Sequence, residues 1–199
     1  MFDSFDVGFD ICKPQFFDVN ALILKNKSKT RSYFSITSEE RQLGALLGKP
    51  PKKNETYKIL SFKGGVSSIG FISFVANLEK IEELYVSTFR VGKKQFNIIC
   101  NLIDCGKIDH ATVITSDFQA IAENEKYDYF DYEQGKADEY GITFKTAHNH
   151  SKIICMKTTN NFYVIETSSN LNENPKIEQF SLENDSKLYA FYREFMEAI

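Results

Sequence analysis

Residues 148–155 read HNHSKIIC. His150 and Lys152 are two apart, and in extended backbone such residues project to the same side. An imidazole and an ammonium are thereby held together. A second pair with the same spacing, Ser168 and Asn170, follows in the run TSSN. If a hairpin folds the second pair back on the first, one imidazole, one ammonium, one hydroxyl and one carboxamide surround a common point. That set suits phosphoryl chemistry. Lys152 supplies charge and Asn170 supplies N–H donors to non-bridging oxygens. His150 serves as nucleophile or proton carrier. His148, two residues earlier on the same face, either lines such a site or lies at the surface beside it.

The elements around these residues alternate from about residue 60 onward. GFISFVANLEK (70–80) reads as a helix, and IEELYVSTF (81–89), rich in β-branched and aromatic residues, as a strand. In 92–106 the apolar positions Phe96, Ile99, Cys100, Leu102 and Ile103 have helical spacing, with Gly106 as the stop. IDHATVITS (108–116) is a second strand, with His110 structural. Residues 117–139 form one or two polar helices, and GITFKTA (141–147) is a third strand. This order predicts right-handed crossovers and parallel pairing. Then the rhythm changes: HSKIICMK and FYVIET are hairpin strands around the turn TTNN, KIEQFSLE is a last strand, and SKLYAFYREFMEA is an amphipathic helix with Leu188, Phe191, Tyr192 and Phe195 on one face. Arg90 and Lys93 lie where the strand 81–89 ends, the place where open α/β sheets bind ligands. They are candidate contacts to substrate.

HSK followed by TSSN resembles the HxK(x4)D…GSxN signature of the phospholipase D superfamily, with His150, Lys152, Ser168 and Asn170 matching residue by residue. KIEQFSLEND followed by LYAFYREF is similar to the Glu-bearing strand and closing helix of that superfamily, so Glu178 corresponds to the acidic residue that orients the catalytic histidine. The resemblance covers about residues 81–199. Lys157 stands where the signature has Asp, Thr167 where it has Gly, and the hairpin is three residues longer. The implied fold is α/β: a mixed, largely parallel sheet flanked by helices on both faces. Residues 61–199 would be the catalytic domain and residues 1–60 an N-terminal arm or subdomain with basic loops. Members with one motif pair two copies as a homodimer, each giving half of a site. This chain has one motif, so the same is expected here, with a phosphohistidine formed on His150 and neither metal nor cofactor required.

The totals limit what else the chain does. It has 199 residues and a formal net charge of -3, so any contact with nucleic acid must be a local patch. The basic runs KNKSKTR (25–31) and KPPKKNETYK (49–58) are either solvated loops or phosphate contacts. Near the N-terminus, FDVGFDIC and FFDVNALIL read as strands or a short helix. The four cysteines lack CxxC spacing, and the first ten residues are acidic where a secretory signal is basic. A reduced, cytoplasmic protein without membrane span follows. FKGGVSSIG (62–70) lacks the GKS or GKT of a P-loop. The acidic, aromatic run at 124–140 is an amphipathic helix or a partner surface. Three function classes remain: a metal-independent phosphodiesterase acting on nucleic acid, a phospholipase, and a catalytically silent relative that binds nucleic acid or protein. The lone motif, small size and basic loops favour the nuclease.

Overall fold

The computed structural model describes residues 25–26, 31–35, 43–62, 65–122, 129–172 and 176–199. The runs read above as FDVGFDIC and FFDVNALIL, Cys12, and the middle of the first basic run lie outside the described residues. In chain order the elements are β1 (Lys25–Asn26), β2 (Arg31–Ser35), α1 (Leu43–Leu47), β3 (Thr56–Ser61), α2 (Ser68–Leu78), β4 (Ile81–Ser87), α3 (Lys93–Asp104) and β5 (Ile108–Ser116). Then come α4 (Asp117–Ala122), α5 (Tyr129–Tyr140), β6 (Thr143–Ala147), β7 (Ile153–Thr158), β8 (Phe162–Thr167), β9 (Glu178–Asn184) and α6 (Ser186–Glu197).

Helix ends follow the sequence signals. Gly106 (φ 65°) lets α3 close with Gly106 N–H donating to Ile103 O and Lys107 N–H to Leu102 O. Gly141 (φ 66°) does the same for α5, where Ile142 N–H reaches Ala137 O. These are left-handed C-terminal closures that favour glycine. At the other end of the chain, Asp185 caps α6, its carboxylate accepting from the backbone N–H of Lys187 (2.7 Å) and Leu188 (3.1 Å).

All strands join one sheet in the order β1-β2-β3-β9-β8-β7-β4-β5-β6. The sheet is mixed, as expected, but mostly antiparallel and not largely parallel, because the chain after β6 returns by hairpins; the parallel pairings are β4–β5, β5–β6 and β2–β3. β4–β7, β7–β8, β8–β9 and β3–β9 are antiparallel, as is β1–β2. Apart from β2–β3, the parallel part is the βαβαβ segment that begins at Ile81, where helices serve as crossovers. After β6 the chain enters the middle of the sheet against β4 and runs back by hairpins.

Alternation along the central strands splits the core into two faces. Leu84 and Val86, Ile154 and Met156, and Tyr163 and Ile165 pack with Phe71, Ile72 and Val75 of α2 and Phe96 and Ile99 of α3. Cys155, Val164 and Tyr85 point the other way, toward Tyr189 and Met196 of α6. Helices therefore cover both faces. The buried face of α6 differs from the expected one. Tyr189 and Met196 are buried, whereas Phe191 is 64% and Phe195 48% exposed. The reason is polar: the Tyr189 hydroxyl bonds Glu83 (3.0 Å) and the Tyr192 hydroxyl bonds Glu166, so the helix is turned with its tyrosines toward the sheet.

Candidate active site

Three loops converge at the ends of β4, β6 and β8. The first, residues 88–92, leaves β4. The second, 148–152, joins β6 to β7. The third, 168–172, follows β8. His150 and Lys152 precede β7, which starts at Ile153 rather than including them. The β7–β8 register pairs Ile153 with Glu166, and one step further Thr167 N–H donates to Lys152 O at 3.1 Å. This one bond brings the two halves of the motif together. The loops are also stitched sideways: Leu171 N–H donates to Arg90 O (3.1 Å), Gly92 N–H to Leu171 O (2.9 Å), and the Ser68 hydroxyl at the start of α2 to Ser169 O (3.2 Å).

His150, Lys152, Ser168 and Tyr192 line one open cleft together with Ser151, Ile153, Glu166 and Thr167. Lys152 Nζ lies 2.7 Å from His150 O and 3.2 Å from His150 Nδ1. Burial pushes the Lys152 ammonium below the usual lysine range, opposed by the negative charge of Glu178. Glu178 is only 6% exposed, and its carboxylate accepts from the Ser168 hydroxyl. Ser168 Oγ in turn accepts from Gln179 N–H at 3.1 Å. Asn170 follows in the same loop. Its Oδ1 is buried and accepts no hydrogen bond among the described residues, an unmet polar group beside the site.

The other candidates lie around this group. Arg90 stands on the first loop with its guanidinium 5.6 Å from the Phe89 ring centre and 5.7 Å from that of Phe118. Lys93 opens α3, its ammonium over the rings of Tyr129 (5.3 Å) and Tyr132 (4.8 Å), so it meets the aromatic helix α5. His148 is fully exposed and faces Asp117, Nδ1 to Oδ2 3.5 Å, at the start of α4. Among the described residues, no three His, Cys, Asp or Glu side chains gather as a metal site needs.

Lys157, the residue in the place of the signature Asp, is held at the far end of β7. Its ammonium meets Glu83 Oε1 at 2.8 Å and Glu82 Oε2 at 3.3 Å. Five residues of extended chain separate it from Lys152, about 16 Å at strand rise. The departure therefore alters an ion pair remote from His150, not the group around it.

Several residues of the site gave no signal in the sequence. Asn149, Ser151 and Ser87 form a closed ring of hydrogen bonds. Asn149 Nδ2 donates to Ser87 Oγ (2.9 Å), the Ser87 hydroxyl to Ser151 Oγ, and the Ser151 hydroxyl to Asn149 Oδ1 (2.7 Å). Asn149 Nδ2 also reaches Thr88 O, and Ser151 N–H donates to Asn149 Oδ1. Every donor and acceptor of the ring is used, which fixes the loop around His150 against the end of β4. The Phe89 ring then rests against His150, centres 4.9 Å apart. For the phosphodiester cleavage that the resemblance implies, Asn149→Ala is expected to lower kcat about ten- to hundred-fold, the cost of a misplaced reacting group, and to lower the thermal midpoint as well, because the buried Ser87 and Thr88 lose a hydrogen-bond donor. An unchanged kcat would show that the ring holds nothing the chemistry needs.

No family model matches the sequence, and no curated protein matches it. Solved structures do. The phospholipase D family member Nuc from Salmonella typhimurium superimposes with a TM-score of 0.51 at 12% identity, over 72% of this chain and 93% of that one. Polyphosphate kinase from Porphyromonas gingivalis gives 0.53 at 12% identity, over 71% of this chain and 25% of the kinase. Phosphatidylserine synthase from Haemophilus influenzae Rd KW20 gives 0.50 at 16% identity, over 72% of this chain and 38% of the synthase. The chain thus spans nearly the whole of Nuc but only a minor part of the other two. The mixed sheet and the helices on both faces accompany that likeness, and this chain shares the fold of the phospholipase D family member Nuc.

Proposed function

We propose that the protein is a metal-independent phosphodiesterase, a nuclease, working through a phosphohistidine at a site shared by two copies of the chain. The observation that carries this reading is the meeting of His150, Lys152 and Ser168 at one open cleft, closed by the Thr167 N–H to Lys152 O bond, with the buried Glu178 accepting from the Ser168 hydroxyl. A ring nitrogen of His150 attacks phosphorus in line, forming a P–N bond as the P–O bond to the leaving group breaks. His150 of a second copy gives its proton to the leaving oxygen. It then takes a proton from water, which attacks phosphorus and releases the histidine. The two Lys152 ammonium groups and the two Asn170 carboxamides bind the equatorial oxygens. Ser168, held by Glu178, lends a further hydrogen bond.

One imidazole cannot be both nucleophile and acid in the same step, so a single-motif chain needs a partner copy. The exposed Phe191 and Phe195, flanking the cleft residue Tyr192, are apolar surface of the kind that self-association covers. Nucleic acid is the substrate class favoured by Lys152 in the cleft and by Arg90 against the Phe89 ring that rests on His150. Among the described residues, no helix is long and apolar enough to cross a membrane. The thiols of Cys100, Cys105 and Cys155 are free, which suits a reducing compartment such as the cytoplasm.

The test is hydrolysis of bis(p-nitrophenyl) phosphate and of plasmid DNA in excess EDTA, alongside sedimentation. A dimer that cleaves both at an undiminished rate is expected. Loss of activity in EDTA would overturn the metal-free route, and a strict monomer with full activity would overturn the shared site. A chain that retards DNA while leaving every ester intact would be the silent binding relative instead.

A further inference from the structure

Beside the cleft stands an aromatic pair that the mechanism above does not use. Phe89, in contact with His150, is stacked on Phe118, centres 5.8 Å apart and planes 19° from parallel. Phe118 opens α4, where its backbone N–H donates to Ser116 Oγ at 3.1 Å. That cap fixes the start of the helix. Its ring is nonetheless 46% exposed, and Ile121, one turn on, is 76% exposed. Arg90 is almost equally distant from both ring centres, at 5.6 and 5.7 Å. The guanidinium is thus shared between the two rings and does not belong to Phe118 alone. Lys152 Nζ approaches the other end, 5.9 Å from the Phe89 centre.

The result is a row: imidazole, Phe89, Phe118, then solvent, flanked by two cations. A half-exposed phenyl ring alone is unremarkable on a protein surface. Here it is stacked on Phe89, whose ring in turn meets the reacting imidazole at a tilt of 48°, and the charges beside it fit a ligand in which a flat ring is tethered to phosphate. Resting on the nuclease reading, we infer that Phe118 is a stacking platform for the base next to the scissile phosphate, and that the substrate is a single-stranded or unpaired stretch of nucleic acid. A base inside a duplex has both faces covered by its neighbours and has none to offer. A base in a single strand does, and aromatic side chains beside a cationic groove are how such strands are held. A lipid headgroup would use the cations but bring no ring.

The test is binding of a fluorescent oligo-dT to the full-length chain carrying His150→Ala, which leaves the strand uncut. The same measurement on an oligomer of equal phosphate count built from abasic spacers isolates the base. Oligo-dT is expected to bind more tightly than the abasic oligomer and more tightly than a dT·dA duplex. Adding Phe118→Ala is expected to weaken oligo-dT binding about ten-fold or more and to leave the abasic oligomer unaffected. Phe118→Trp is expected to retain binding. Equal oligo-dT binding with Phe and Ala at position 118, an equal loss for both oligomers, or preference for the duplex would each overturn the platform while leaving the nuclease reading intact. Failure of this chain to bind either oligomer, with head-group release from phosphatidylcholine vesicles by the parent chain carrying His150, would overturn both.

Discussion

His150→Ala is expected to abolish cleavage of bis(p-nitrophenyl) phosphate, with a loss of at least about a thousand-fold, because it removes nucleophile and proton carrier together. The fold should not notice. His150 is exposed in a loop, and its own backbone carbonyl, which receives the Lys152 ammonium, survives the change. A thermal midpoint within a few degrees of the parent is therefore expected. The shared site adds a quantitative signature. When active and His150→Ala chains are mixed in equal amounts and allowed to exchange, only dimers with two intact histidines turn over. About a quarter of the activity then remains under random pairing, where independent sites would leave about half. Acid-labile phosphate trapped on the parent chain, and absent from the variant, would identify the intermediate. Activity persisting above a few per cent in His150→Ala would end the proposed chemistry outright.

Lys152→Met is the second large effect. The methionine keeps an unbranched apolar stem in the cleft lining while deleting the ammonium. That ammonium is held by the His150 carbonyl at 2.7 Å, depressed by burial and attracted by Glu178. Charge placed in advance, where negative charge gathers in the transition state, is worth about a hundred- to a thousand-fold in kcat, and that loss is expected. Lys152→Arg is expected to restore only part of it. The guanidinium keeps the charge but is a rigid planar fork, unable to sit in the same compact place beside the imidazole. If kcat is unchanged and only KM rises, Lys152 holds the substrate uniformly and does not act on the transition state.

Much of the framework was legible in the residues. The strands at 81–87 and 108–116, the helix ending at Gly106 and the hairpin around residues 158–161 lie close to where periodicity and turn residues put them. So does the closing helix from Ser186. Each depends on local rules: alternation, helical spacing, and a glycine free to take positive φ. The pairing of the HSK and TSSN runs was legible too, because a hairpin fixes which residues of its two arms are neighbours. The buried side of α6 was not. Its sequence offers two apolar stripes, and the choice fell to Glu83 and Glu166, which bond the tyrosines from strands far away in the chain. Asn149, Ser151 and Ser87 were silent for the same reason. Small polar residues are common in loops, and nothing local says that three of them close a ring across 62 residues or more of sequence.

By itself, then, the sequence determined the elements from about residue 70 onward and their order, and the identities of an imidazole, an ammonium, a hydroxyl and a carboxylate near one end of a sheet. It did not determine that Thr56–Ser61, almost wholly inside the region read as an arm with basic loops, pairs with β9. The tertiary structure decided how far apart things are. It put Lys157 at the remote end of β7 in an ion pair with Glu82 and Glu83, set Phe89 against His150, and aligned Phe118 behind it. The physical reason is range. Backbone preference and periodicity act over a few residues, whereas neighbours across a sheet are fixed by which strands pair and in which direction, a choice that burial and hydrogen bonding make for the chain as a whole.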